Sequence, residues 1–209
     1  MTSTNRKWTN RLAHPLFIRN TIGSFSPQKE VWQWAVGLQA IPRFIVAFMY
    51  RKYHKEVLFP WAHCFSAVAF LLNLIEVICL IGLSFWTSTD NYPVHKTCFV
   101  TFVVTSELYM VITCVLFKRC RRHPPMNIEV KSLRIKGRLV AFNICSIILA
   151  SYFFMRHNSY CETGVYSLFA LFEYLVVLSN MAFHMTAYWD FYDRDLVLNE
   201  DCDIDLIYR

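Results

Sequence analysis

The chain has 209 residues, of which 56% are hydrophobic, 17% aromatic and only 17% charged. Soluble domains carry about a quarter charged residues, and five glycines exclude a collagen-like or linker-rich chain. The net charge of +6 sits mostly in short loops beside long apolar blocks, which argues against a DNA or RNA partner and for an integral membrane protein.

A hydrocarbon core about 30 Å thick needs ~20 predominantly apolar residues per helix. Five blocks meet that length: 31–50, 61–86, 95–117, 138–155 and 164–190. Their unbroken runs exclude the short alternating strands of a membrane barrel. The predicted fold class is all-α, a polytopic transmembrane helix bundle over 31–192. An N-terminal segment, 1–30, precedes it, and an acidic tail, 193–209, follows.

Lys and Arg near span ends set orientation. Loop 51–60 carries Arg51, Lys52 and Lys55, and loop 118–137 carries Lys118, Arg119, Arg121, Arg122, Lys131, Arg134 and Lys136. Loop 87–94 has neither residue type and 155–163 has only Arg156. The two basic loops and the C-terminus are therefore expected in the cytosol, the two poor loops in the lumen or exterior. Residues 1–30 conflict with this: an odd number of spans places them opposite the basic loops, yet they hold Arg6, Lys7, Arg11, Arg19 and Lys29. An earlier helix would remove the conflict.

The eight cysteines show no C-x-x-C spacing, so no zinc or iron–sulfur site is expected. Cys64, Cys79, Cys114 and Cys145 fall within spans as small apolar residues. Cys98 and Cys161 lie near the lumenal face and could pair if it is oxidising. Cys120, within KRCRR, is a candidate for palmitoylation. The tail reads as a solvated end, with Asp201, Asp203 and Asp205 in diacidic triplets that are common by chance.

Ionisable groups inside spans are costly and normally face the bundle interior. This chain has Arg43, Glu76, Glu107, Glu173 and His184, with Asn73, Asn143 and Asn180 beside them. Counted from the lumenal span ends at 1.5 Å per residue, Arg43, Glu76, Glu107 and Glu173 come out roughly 13–18 Å deep. At about 100° per residue, Tyr166, Glu173, Asn180 and His184 return to within ~20° of one face. Asn73 and Glu76 are likewise neighbours on the second span. Pro42, just before Arg43, would kink the first helix and free the Leu38 carbonyl. Arg43 could fix helix register by pairing with Glu76. The stripe of Glu173, Asn180 and His184 could hold helices together or line a lipid-headgroup pocket with Arg43, Asn73, Glu76, Glu107 and Arg156. His95 and His157 read as exposed histidines near the lumenal surface. The third class that buried acids suggest, a transporter or channel, lacks the paired broken helices that would mark it.

The segment RHNSYCETGVYSLFALFEYLVVLSNMAFHMTAYWDF (156–191) closely resembles the signature of the post-GPI attachment to proteins factor 2 family. The stretch VGLQAIPRFIVAF (36–48) is similar to that family's Gly-Leu-x-x-x-Pro-Arg-Phe helix, and the resemblance runs from about Pro27 to Tyr192. It implies a multi-pass protein of the Golgi and endoplasmic reticulum membranes that acts in fatty-acid remodelling of GPI anchors, at the step that reacylates lyso-GPI with a saturated chain. Family members carry a further transmembrane helix before the Pro-Arg helix. The resemblance leaves open whether the chain is the acyltransferase or assists another remodelling enzyme. Lyso-GPI, GPI-anchored proteins and membrane lipid are the implied partners. No cofactor is expected beyond an acyl donor such as acyl-CoA or a phospholipid. Acyl transfer needs a base for the hydroxyl proton and donors for the oxyanion. His184 as base with Asn180 and Glu173 is one candidate set; His157 with Glu162, on the lumenal side, is the other.

Overall fold

A computed structural model describes residues 27–86, 90–160, 164–192, 194–198 and 204–208. Five long helices follow in order: α1 (Gln28–Val57), α2 (His63–Phe85), α3 (Tyr92–Arg119), α4 (Asn127–Tyr160) and α5 (Val165–Met185). A 3-10 turn, Pro60–Ala62, leads into α2, and a short helix, α6 (Ala187–Asp190), extends α5. Among the described residues, four stretches are long and apolar enough to cross a membrane: Pro60–Phe85, Tyr92–Arg119, Asn127–Tyr160 and Val165–Asp190. The all-α bundle read from the sequence is the fold.

Helix α1 falls outside those four because its polar residues lower its mean hydropathy, and its two faces explain why. Trp34, Leu38, Ile41, Ile45 and Phe48 are exposed, while Val36, Ala40, Arg43, Ala47, Tyr50, Tyr53 and His54 are buried. Spacings of three and four residues in both sets, with Tyr53 and His54 both one turn beyond Tyr50, make one apolar outer stripe and one inner stripe that carries the charge. Helix α2 repeats the pattern. Phe65, Val68, Leu71, Ile78 and Phe85 face outward, and Ser66, Asn73, Glu76 and Ser84 face inward. Such an arrangement, apolar outside and polar within, suits lipid as solvent. Pro42 lies inside α1 without dividing it.

Neighbouring helices pack in sequence order, and α5 closes the bundle by meeting groups on α1 and α2. Asn91 caps α3 by accepting from the Val94 N–H at 3.3 Å. Gly164, at φ 91°, turns the chain into α5 in the left-handed region that glycine enters without a Cβ clash. Where α2 and α3 approach, a Cβ on Gly82 would stand 3.1 Å from Cys98 Sγ. The two basic loops are tied by backbone bonds, Phe59 N–H to Cys120 O at 3.0 Å and Arg122 N–H to Val57 O at 2.9 Å. Helix α4, with 34 residues, is about 51 Å long, so its first turns project past a 30 Å core into this basic end.

The tail adds a feature not read from the sequence. Strands β1 (Arg194–Leu198) and β2 (Ile204–Tyr208) pair antiparallel, Arg194 opposite Tyr208 and Leu198 opposite Ile204. Residues 1–26, Cys161, Glu162, Asp201 and Asp203 lie outside the described residues, as do the expectations placed on them. Cys98 is a free, partly buried thiol. Cys120 is only 3% exposed, packed with Leu58, Met110 and Leu116. A transferase cannot reach it there, which corrects the palmitoylation reading.

Candidate functional site

Four helices assemble a buried polar cluster around one oxygen. Glu76, on α2, is fully buried, and its Oε1 accepts from Arg43 Nη2 on α1. The same Oε1 takes Asn180 Nδ2 at 3.0 Å and His184 Nε2 at 3.0 Å, both from α5. Arg43 Nη2 also lies 3.4 Å from Asn180 Oδ1. Tyr109, on α3, stacks on the His184 ring with centroids 5.2 Å apart and planes 6° from parallel. The cluster exists because α1, α2 and α5 each turn a polar stripe inward. Removing a carboxylate and a guanidinium from water is affordable only with this direct pairing.

Geometry also sets the chemistry available to His184. With Glu76 ionised, Nε2–H donates to Oε1, and Nδ1 becomes the basic nitrogen of the neutral ring. Glu76 thus holds the imidazole in one tautomer and one orientation. Arg43 Nε and Nη1, Glu76 Oε2 and Asn73 Oδ1 are buried without hydrogen-bond partners among the described residues. Those atoms leave two donors and two acceptors for a polar ligand group beside the ring.

Depth counted from span ends set Glu173 level with Glu76. Glu173 shares the half-buried face of the helix, but the residues that meet Glu76 are Asn180 and His184, seven and eleven positions on. Equal starting depths do not hold when helices tilt and differ in length, so groups at equal counts end at different levels. Glu107 is half-buried on α3, within electrostatic range of Glu76, and both its oxygens lack a hydrogen-bond partner. Among the described residues, Glu76 is the acid that pairs with Arg43, as the register pairing anticipated. Asn73 is buried one turn from Glu76, and Asn143 donates to Val176 O at 3.0 Å. At the end of α4 away from the basic loops, His157 is half-buried, its ring 5.2 Å from that of Tyr166. Arg156 donates to Tyr152 OH at 3.3 Å, and His95 Nδ1 meets Trp86 O at 2.8 Å.

A second buried network, missed in the sequence, fills the basic end. Asp190, at the end of α6, accepts from Lys136 Nζ, from Ser132 Oγ at 2.5 Å and from Tyr50 OH at 2.6 Å. Beside it Glu129 accepts from Tyr53 OH at 2.5 Å, Arg121 Nη2 at 2.7 Å and the Met126 N–H at 2.8 Å. The loop-charge rule counted Lys136 and Arg121 as solvated cations. Their partners lie far along the chain, and only the length of α4 beyond its apolar stretch hinted at burial. His54 Nδ1 meets Ser66 Oγ at 2.9 Å in the same layer. Burial, reinforced by the Lys136 charge, pushes the His54 pKa down to about 3, so this imidazole is neutral. Burial and the bond to Glu129 likewise push the Tyr53 phenol up. Among the described residues, no group of His, Cys, Asp and Glu could hold a metal ion.

Known proteins similar in sequence give the family. Residues 3–194 match the family model described as the Frag1/DRAM/Sfk1/Cwh43P N-terminal domain. Post-GPI attachment to proteins factor 2 of Drosophila pseudoobscura pseudoobscura is 45% identical over 182 residues, 87% of this chain and 70% of the relative. Acyltransferase PGAP2 of Xenopus tropicalis is 40% identical over 179 residues, 85% of this chain and 71% of the relative. Protein cwh43 of Schizosaccharomyces pombe is 25% identical over 179 residues, covering 86% of this chain but only 17% of that longer protein. No solved structure matches. On this likeness along most of its length, the chain belongs to the post-GPI attachment to proteins factor 2 family.

Proposed function

We propose that the chain acts in GPI-anchor maturation, at the step that reacylates lyso-GPI with a saturated chain, and that it carries the acyl transfer itself. The observation behind this reading is the contact of His184 Nε2 with Glu76 Oε1 at 3.0 Å, which leaves the ring's other nitrogen as a base. In the reaction, Nδ1 takes the proton of the lyso-GPI hydroxyl as its oxygen attacks the acyl carbonyl of acyl-CoA or a phospholipid. The Arg43 N–H groups without partners offer hydrogen bonds to the developing oxyanion. Collapse expels the CoA thiolate or the lysophospholipid alkoxide, which takes the proton from His184 as it leaves. Asn180 fixes the Glu76 carboxylate, while Asn73, Glu107 and Arg156 are assigned to lipid contact rather than to chemistry. The compartment we assign is the Golgi membrane, with the endoplasmic reticulum as a second location and GPI-anchored proteins as the macromolecular partners.

Closure of the cluster favours one other reading. The Glu76 side chain is 0% exposed and that of His184 8%, as expected of a fixed scaffold in a protein that binds lyso-GPI and presents it to another remodelling enzyme. Purified protein, lyso-GPI and a labelled acyl donor separate the two. An acyltransferase makes diacyl-GPI, and His184→Ala abolishes the product while leaving the protein folded. Binding of lyso-GPI without turnover would establish the presenting factor instead. In cells lacking the factor, the acyl chains on surface GPI anchors report which variants work.

A further inference from the structure

Two cavities meet at the basic end of the bundle. One, of about 190 Å³, has charged and aromatic walls that include Arg121, Glu129, Trp189 and Asp190. The other, of about 360 Å³, is walled by Val46, Met49, Ala187, Tyr188 and Phe191. Tyr192 and Arg194 line both, so the guanidinium stands where the polar chamber gives way to the apolar one. Arg194 is held there by Glu56 Oε2 at 2.6 Å and by the Tyr53 ring, 4.6 Å below it. Small-molecule sites occupy roughly 300–1,000 Å³, which the apolar chamber reaches by itself.

Hydrogen-bonding capacity decides what the polar chamber favours. Its two carboxylates are already bonded inward, Glu129 to Tyr53 and Arg121, Asp190 to Lys136, Ser132 and Tyr50. Arg121, nine-tenths buried, keeps an Nε–H with no hydrogen-bond partner among the described residues. The lining sets two arginines, Arg121 and Arg194, against these two bonded carboxylates, and arginine N–H groups suit phosphate oxygens. The same stretch of sequence, 118–138, also carries Lys118, Arg119, Arg122, Lys131, Arg134 and Arg138.

Position relates the apolar chamber to the polar cluster. Val46 is one turn along α1 from Arg43. Ala187 and Tyr188 are three and four residues beyond His184, so the chamber begins one helical turn from both cluster members. We propose that the paired cavities bind the acyl donor, a phosphate-bearing amphiphile. Its phosphate lies against Arg121 and Arg194, and its acyl chain enters between Val46 and Tyr188. Phospholipid and CoA thioester share this chemistry. The inference rests on the acyl-transfer reading only for the word donor; the site itself is a matter of binding.

The test uses the full chain purified in micelles and measures saturable binding of dioctanoyl phosphatidylcholine, octanoyl-CoA, dioctanoylglycerol and inorganic phosphate. At least one phosphate-bearing amphiphile is expected to bind, and whichever binds more tightly identifies the source. Arg194→Gln weakens it at least tenfold by removing charge. Val46→Trp does the same by filling the apolar chamber, and it stands in if Arg194→Gln fails to fold. Dioctanoylglycerol binding as tightly as both phosphate carriers would overturn the proposal. So would affinity within twofold of wild type in the folded variants. Donor binding that obeys these expectations without turnover refutes the acyltransferase reading and leaves the site standing. Turnover that survives the loss of donor binding refutes the site alone.

Discussion

Replacing Glu76 by Gln tests whether the polar cluster holds the bundle. The amide oxygen of Gln still accepts from Asn180 and His184, so the substitution deletes the charge and little else. What remains is Arg43, 6% exposed and without its counter-ion. Leaving one partner of a buried pair uncompensated costs roughly 3–5 kcal/mol. For a chain of this size each kcal/mol moves the midpoint by about 2–4 °C, so thermal unfolding of the purified protein should shift down by about 6–20 °C. Adding Arg43→Met removes the stranded charge and should recover at least half of that loss, a coupling read from the double-mutant cycle. A shift below about 2 °C, or losses that simply add in the double variant, would refute the view that this pair is desolvated and mutually dependent.

The basic-end network makes a parallel case. Lys136→Met leaves Asp190 with only Ser132 and Tyr50, costing roughly 3–5 kcal/mol, and Asp190→Asn should restore most of it in the same melting assay. His54 predicts a pH dependence. Burial lowers its folded pKa to about 3 from 6.5, so below pH 6.5 the unfolded chain binds a proton that the folded chain refuses. Stability therefore falls as pH drops through that window, by about 2 kcal/mol at pH 5, and His54→Asn should flatten the profile. Gly82→Ala places a Cβ 3.1 Å from Cys98 Sγ. The overpacking, about 1–3 kcal/mol, opposes the roughly 1 kcal/mol that alanine gains over glycine inside a helix, and adding Cys98→Ala should raise the midpoint of the variant in a melting comparison by removing the first term.

Composition and block length reveal the helical bundle because lipid imposes one requirement, about twenty apolar residues for each crossing. Periodicity likewise reveals the polar face of α5, since Asn180 and His184 are four apart and must share it. Contact between helices is a different matter. Glu173 matched Glu76 in counted depth, yet Asn180 and His184 make the contact, because depth depends on tilt and stagger that no single helix encodes. Lys136 and Asp190 were harder still. Each lies at the edge of an apolar block, where a solvated charge is the ordinary outcome. Their pairing requires that α4 project past the bilayer and that α5 end beside it. Cys120 sits in an equally basic setting, but the backbone bonds joining loops 51–60 and 118–137 bury it.

The two networks together explain why the segment from Val165 to Asp190 is the most demanding part of the chain. Between helices already in lipid there is little hydrophobic drive, so packing and polar contacts must choose register. Asn180 and His184 fix this segment against α1 and α2 at Glu76. Asp190, six residues on, fixes it against α4 at Lys136 and Ser132 and against α1 at Tyr50. A one-residue slip would turn all three groups by about 100° and strand both Glu76 and Lys136. The same two attachments hold the apolar chamber between them, with Ala187 and Tyr188 lining it. Register, chamber and candidate base are therefore set by one stretch of sequence, and a substitution that loosens either anchor should disturb the proposed donor binding and the proposed acyl transfer together.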